Sequence, residues 1–182
     1  RFRPVDAKLG PDGNLYIIDM YRGIIQHRQF VTSYLRKQIE ERKLATPIGL
    51  GRIWRVVKDS DQAFSQAPFK KLFATPKDQV QSLAHSVGWV RDTGQRLLVE
   101  SGTKKIAPDL KKLLRDSSTG LGRLHAMWTL QGLSALDVQD HLVALRSDDE
   151  YLRRASCQIL TTDPLKEEQD IQQIVSHLKK TS

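Results

Sequence analysis

Three segments in the second half of the sequence align without gaps, and this internal repeat limits the fold more than any other feature. Each segment has arginine at its second position, leucine at its ninth, and a small residue three positions after the arginine. The segments are residues 90–98, 122–130 and 152–160, with arginines at 91, 123 and 153 and small residues Gly94, Ala126 and Ser156. Self-similarity at a period of 30 to 32 residues is typical of helix pairs that stack into a solenoid.

A further apolar helix is predicted before each of these segments, so that every repeat has two helices. These first helices are expected at residues 80–85, 106–115 and 138–146, and a final amphipathic helix is expected at 166–180. The small residue of each segment would let two helices approach closely. The repeated arginine is expected to donate to backbone carbonyls or to an acid of the next repeat, or else to lie exposed at the surface.

The beginning of the chain has strand character instead. Short runs at 5–9 and 14–19 flank the turn residues Pro11, Asp12 and Gly13, and they predict a β-hairpin. A third run at 51–57 alternates well enough to be a half-buried strand, and the excursion at 20–50 contains a helical pattern. Three short strands cannot easily bury a sheet face alone, so we expect them to belong to a larger β structure.

The sequence therefore predicts a mixed, mainly α fold in two parts, with strands in residues 1–57, a linker at 58–68 and helical repeats in 69–182. Since the first residue is Arg1 and not methionine, we expect a processed product or a fragment. No stretch approaches the length of about 20 apolar residues that a membrane-spanning helix needs. A single cysteine, Cys157, excludes an internal disulfide framework and a cysteine-rich metal site.

Two runs in the first part, RFRPVDAKLGPDGNLYIIDMYRGIIQH and GLGRIWRV, carry a family resemblance. They resemble the last part of the β-propeller in large secreted dehydrogenase-like proteins of planctomycetes, a family similar to the sorbosone and soluble glucose dehydrogenases. In that family HEAT repeats follow a six-bladed propeller, and a c-type cytochrome domain often follows the repeats. The segments GWVRDTGQRLLVE and RLHAMWTLQGL resemble the first of those HEAT repeats.

The resemblance implies that residues 1–57 are the closing part of a β-propeller, a partial blade with a helical insertion, and that residues 69–182 are a HEAT-like or armadillo-like solenoid. It implies a fragment of a quinone-dependent dehydrogenase for sugars, alcohols or aldehydes, periplasmic or secreted, with the helices as a docking or spacer module. Pyrroloquinoline quinone and haem c would belong to the full-length protein, together with the remaining blades and the cytochrome domain. We expect the fragment itself, which has at most one blade and no CxxCH motif, to be inactive.

Two other functions stay open at this point. The first is a non-catalytic scaffold in which propeller and repeats bind a partner or a polysaccharide. The second is nucleic-acid binding through a basic solenoid, because the net charge is +8. The basic residues are spread along the whole chain and no nucleic-acid-binding motif occurs, so DNA is not an expected partner.

Four residues near the end of the second predicted strand are candidates for a site. Asp19 and His27 are the catalytic candidates, since a carboxylate and an imidazole suit proton transfer. Tyr21 and Arg22 are the cofactor-binding candidates, since arginine suits an anionic group such as a quinone carboxylate. The alternative is that Asp19 and His27 only bind loop backbone.

Structural roles are expected for the remaining residues of interest. Asp6 and Asp12 could suggest calcium, but they lack EF-hand spacing and are expected to cap turns. Packing is expected for His85, His125, Trp89 and Trp128, and a buried, inert thiol for Cys157. No metal site is predicted.

Overall fold

The protein has two compact units, Arg1–Phe64 and Ser65–Ser182, in a computed structural model that describes residues 2–46, 48–58 and 67–181. Most of the predicted linker, residues 59–66, lies outside the described residues. The first helix of the second unit begins at Ala67, inside the range predicted as linker. The mixed, mainly α fold is confirmed: a small antiparallel sheet precedes a larger set of packed helices.

The sheet unit contains three antiparallel strands in the order β1, β2, β3. They are β1 (Pro4–Leu9), β2 (Leu15–Asp19) and β3 (Arg52–Val56). Leu15 pairs with Leu9 on one side and Val56 on the other, and Asp19 pairs with Pro4 and Arg52. The predicted hairpin is confirmed, and Gly13 at φ 78° supplies the left-handed residue of its turn.

The excursion between β2 and β3 contains a short 3₁₀ turn, Arg28–Phe30, and the helix α1 (Ser33–Glu41). The hydroxyl of Thr32 accepts a hydrogen bond from the Leu35 amide, which caps the start of α1. At the other end Lys43 adopts φ 50°, and the Leu44 amide donates to the Ile39 carbonyl over 2.9 Å. This reversal ends the helix and turns the chain back towards β3.

The helical unit contains eight helices within the described residues. They are α2 (Ala67–Leu72), α3 (Pro76–Ser82), α4 (Gly88–Ser101), α5 (Ala107–Asp116), α6 (Gly120–Gly132), α7 (Val138–Leu145), α8 (Glu150–Thr162) and α9 (Glu168–Thr181). Helix α3 packs on α4, α5 on α6 and α7 on α8. The first helices of these pairs also contact one another in series, as do the second helices. This arrangement confirms the predicted stack of two-helix repeats.

The repeated arginines bind backbone carbonyls, which is one of the alternatives that the sequence leaves open. Arg91, Arg123 and Arg153 donate to the carbonyls of His85, Leu114 and Ser147, each of which lies within three residues of the end of the preceding helix. A Cβ atom on Gly94 would lie 3.0 Å from the Gln79 carbonyl oxygen, so α3 and α4 can approach this closely only because residue 94 is glycine. Leucine is the most frequent residue of the core beneath them, which also contains Met127 and Ile159.

Three burial predictions are wrong. Cys157 is exposed, because the buried face of α8 carries Leu152, Ala155, Ser156 and Ile159. Trp89 is 39% exposed and contacts Phe73 edge to face, since it lies beside the buried Val90 and not on the buried stripe. The strand β3 is mostly exposed, because no second layer covers it within the described residues.

In the described part of the chain no helix has the length and apolar character needed to span a membrane.

Candidate functional site

The side chain of Asp19, at the end of β2, is the centre of a hydrogen-bond network in the sheet unit. Its Oδ1 accepts from the backbone amides of Arg3 (2.7 Å) and Tyr21 (2.8 Å). Its Oδ2 accepts from Nε1 of Trp54 (3.0 Å) and lies 3.8 Å from Nε of Arg52. Burial alone would raise the pKa of the Asp19 carboxyl. The hydrogen bonds and the Arg52 charge have the larger, opposite effect, so the pKa is lowered from its usual value.

These contacts give Asp19 a positioning role. One carboxylate, 1% exposed, ties the chain before β1 and the indole of β3 to the end of β2. A general base must accept a proton, and a proton on either Asp19 oxygen would break hydrogen bonds that this oxygen already accepts. The geometry therefore opposes general-base chemistry at Asp19. The catalytic role suggested by the sequence stays a prediction.

Tyr21 is held directly beside this carboxylate in an unusual backbone conformation. Its φ is 47°, a region that non-glycine residues rarely adopt. The Arg52 guanidinium lies 3.6 Å from the centre of the Tyr21 ring and 5.4 Å from that of Trp54. The exposed part of the network is therefore a stack of two aromatic rings and one cation.

Arg22 and His27 have separate environments. The Arg22 carbonyl accepts a hydrogen bond from Nε of Arg3 (3.2 Å), so the backbone of Arg22 joins the Asp19 network. His27 is exposed, and its Nδ1 accepts from the Gln29 amide (3.4 Å) at the start of the 3₁₀ turn. Asp19 and Tyr21 are thus brought together, and His27 lies outside their network.

The four candidates do not together form a site for pyrroloquinoline quinone. Asp19 is buried and fully engaged, the Tyr21 ring is covered by Arg52, and His27 is not part of the cluster. A cavity in the same unit, bounded by residues between Ile24 and Ala45, is lined by none of the four. Within the described residues no three His, Cys, Asp or Glu side chains are grouped to hold a metal ion.

Sequence reasoning did not identify Arg3, Arg52 and Trp54 as members of the cluster. Arg52 and Trp54 are two residues apart in β3, so both side chains lie on the sheet face that carries Asp19. That alternation was a usable signal, but it required the register between β2 and β3. Arg3 donates through its backbone amide, for which the sequence offers no signal.

The opposite end of the sheet has a second charged cluster around Asp12. Its Oδ2 accepts from Nε of Arg55 (2.6 Å) and from the Tyr16 hydroxyl (3.1 Å), and its Oδ1 accepts from the Asn14 amide (3.1 Å). Although burial raises it, these hydrogen bonds lower the pKa of Asp12 to about 2. The prediction that Asp12 caps the turn is confirmed.

Both faces of the sheet carry exposed apolar side chains. One face presents Leu9 (58% exposed), Leu15, Trp54 and Val56, and the other presents Ile18 and Ile53 (66% exposed). In residues 2–46 and 48–58 the only buried residues are Gly10, Asp19 and Gly23. The sheet unit, as described, therefore has no hydrophobic core of its own.

Comparison with known proteins connects only the sheet unit to a family. A family model described as a domain of unknown function (DUF7133) matches residues 1–60 of the 182. No curated protein and no solved structure matches the chain. The sheet unit and the excursion after β2 are thus the part of the chain that is similar to a described domain.

Proposed function

We propose that the chain is the junction between a β-propeller and a helical solenoid in a dehydrogenase-like oxidoreductase. The observation that carries this proposal is the exposure of large apolar side chains on both faces of the three-stranded sheet. The sheet unit would contribute strands to a propeller blade, and the helical unit would serve as a docking or spacer module.

The two-faced exposure favours a propeller over other β architectures. A sheet in a sandwich packs one face on its partner and turns the other to water, so only one face is apolar. A propeller blade has a neighbouring blade on each side, and both of its faces are covered. Ile53 on one face and Leu9 on the other would each gain a partner in that arrangement.

The redox part of the proposal is supported by the sequence resemblance. The four candidate residues do not form a quinone site among the described residues, so the catalytic centre and its pyrroloquinoline quinone would belong to the other blades. A c-type cytochrome domain would accept the electrons, in the periplasm or outside the cell. The chain's own contribution would be to close the propeller and to hold the solenoid.

The dehydrogenase proposal is tested on the full-length protein. We expect reduction of an artificial acceptor dye that depends both on added pyrroloquinoline quinone and on a sugar, alcohol or aldehyde. A folded full-length protein that neither binds the quinone nor reduces the dye would contradict the proposal.

The docking role of the helices is tested with the chain itself as a competitor. Excess 182-residue chain should inhibit electron transfer from the full-length enzyme to its c-type cytochrome, and should leave reduction of a small dye unchanged. Equal cytochrome reduction with and without the competitor would rule out the docking role.

A non-catalytic binding scaffold is the second candidate. It is favoured by the Asp19 network, because the carboxylate of this catalytic candidate is engaged by hydrogen bonds that hold three segments together. On this alternative the full-length protein would be folded and inactive in the dye assay with every substrate class.

A further inference from the structure

A cavity of about 420 Å³ lies in the excursion between β2 and β3, apart from the Asp19 network. Its apolar lining comes from Ile24, Val31, Ile39 and Ala45. Its volume is within the range of about 300–1,000 Å³ of small-molecule sites. The cavity is therefore large enough to hold a small organic molecule.

The chain builds this cavity with two specific contacts. The turn after α1 brings Leu44 against Gly23, where a Cβ atom would lie 2.5 Å from the Leu44 carbonyl oxygen. Nη2 of Arg3 donates to the Gly23 carbonyl over 2.9 Å and fixes the same segment from the other side. These contacts hold the segment that includes Ile24 next to the one that includes Ala45, so two walls of the cavity are set by the fold.

The charged lining consists of Arg28, Arg36 and Glu40. Arg36 and Glu40 are one turn apart on α1, on the same side as Ile39, and Arg28 comes from the 3₁₀ turn. Within the part of the chain that the structure describes, neither guanidinium group has a hydrogen-bond or ion-pair partner. Two cations and one anion leave a net charge of +1 around an apolar lining.

We propose that this cavity binds a small organic monocarboxylate with an apolar body. Either arginine can pair a carboxylate through two parallel N–H groups, a geometry that lysine does not offer. The four apolar residues would cover the body of the ligand, and Glu40 makes the site less suited to a second negative charge. The inference does not rest on the proposed oxidoreductase function, since it uses only the cavity lining and the contacts of Arg3 and Gly23 that shape it.

The test uses three probes with the same apolar body and different charge. These are 4-phenylbutyrate, 4-phenylbutanol and 4-phenylbutylamine, titrated into the ¹⁵N-labelled 182-residue chain and followed by NMR. Phenylbutyrate should shift the amide signals of residues 24–45 and bind at least 10-fold more tightly than the alcohol, with the amine weakest. Acetate and inorganic phosphate, which lack the apolar body, should bind more weakly than phenylbutyrate.

Variants assign the effect to the cavity. Arg28→Gln and Arg36→Gln should each weaken phenylbutyrate binding about 5- to 10-fold, and Glu40→Gln should strengthen it about 2- to 5-fold. Arg42→Gln is the matched control, since Arg42 is an exposed arginine just after α1 and outside the cavity lining, and it should change binding less than 2-fold. All four positions are exposed, so the variants should fold like the parent chain.

Four results would overturn the proposal. The first is binding of the alcohol as tight as that of the carboxylate. The second is an equal loss of binding in Arg42→Gln and Arg36→Gln, and the third is a set of shifted amide signals on the sheet faces. Tight binding of phosphate alone would also contradict it, because the apolar lining would then have no role.

Discussion

Lys111 of α5 joins two successive repeats through a partly buried ion pair, and its removal should destabilise the helical unit. Its Nζ lies 2.5 Å from Oδ2 of Asp137 and 2.9 Å from Oδ2 of Asp140, at the start of α7. Asp140 is 1% exposed, and the Asp137 amide is the other donor to Oδ2 over 3.1 Å. Oδ1 of Asp140 has no hydrogen-bond partner among the described residues. The lysine is therefore the main compensation for a buried carboxylate.

Lys111→Met keeps the aliphatic stem and removes the charge, so the loss is mainly electrostatic. Removing one partner of a fully buried ion pair costs about 3–5 kcal/mol. The Lys111 side chain is 21% exposed, so water screens part of the interaction and we expect about 2–3 kcal/mol. For a helical unit of this size that loss corresponds to a fall in Tm of about 10 °C.

Thermal and urea unfolding of the whole chain, followed by far-ultraviolet circular dichroism, measures this change. Lys112→Met is the matched control, since Lys112 is the exposed neighbour on α5, and its effect should stay within about 0.5 kcal/mol. Lys111→Met with Asp140→Asn should recover part of the loss, because no uncompensated buried charge remains and Asp137, the other partner of Lys111, is half-exposed. If Lys111→Met were as stable as Lys112→Met, the ion pair would not couple the two repeats and this reasoning would be refuted.

Three further changes follow from single contacts. Gly94→Ala should destabilise the helical unit by about 1–2 kcal/mol in urea unfolding, since the new methyl group would meet Ser82, while Gly88→Ala at the helix start should be near neutral. Ser134→Gly should stabilise the helical unit by about 0.5–1 kcal/mol in the same assay, because Ser134 has a φ of 49°, which glycine adopts more easily. An unchanged free energy of unfolding would show that the turn is not strained. The Asp12 carboxyl should titrate with a pKa of about 2 when followed by NMR. Its contribution to stability is then present above about pH 4 and is lost as the pH falls towards 2. An ordinary pKa for Asp12 would contradict the hydrogen-bond network around it.

The helical repeat was predictable because its signal is local and periodic. The arginines at 91, 123 and 153 each donate to a carbonyl 6 to 9 residues earlier in the chain, so their role follows from spacing along one helix pair. Gly94 was recognisable for the same reason. Helix bounds were predicted less accurately: after the N-cap Thr75, α3 begins at Pro76, four residues before the predicted range.

Burial of individual helix residues was harder to predict. Ser156 and Cys157 are neighbours in sequence, but successive residues of a helix point about 100° apart, so Ser156 faces His141 while Cys157 faces solvent. Trp89 is exposed beside the buried Val90 for the same reason. Both residue types are commonly buried, but the direction in which each side chain points from its helix decides its exposure.

The sheet unit shows the limit of sequence reasoning about a site. The sequence identified Asp19 and Tyr21, which do lie together, but their partners Arg52 and Trp54 are more than 30 residues away. Such partners depend on strand register, which hydrophobic alternation alone does not fix. The cavity depends in the same way on the approach of Leu44 to Gly23.

Hydrogen exchange of the β1, β2 and β3 amides tests the central proposal most directly, because it reports whether this sheet needs neighbouring sheets. In the 182-residue chain we predict that these amides exchange at least 100-fold faster than those of α4 and α6, which lie on a buried core. In the full-length protein the same amides should become as protected as the helices. A monomeric 182-residue chain whose strands are already as protected as α4 and α6 would show that the sheet is complete by itself and would contradict the propeller junction.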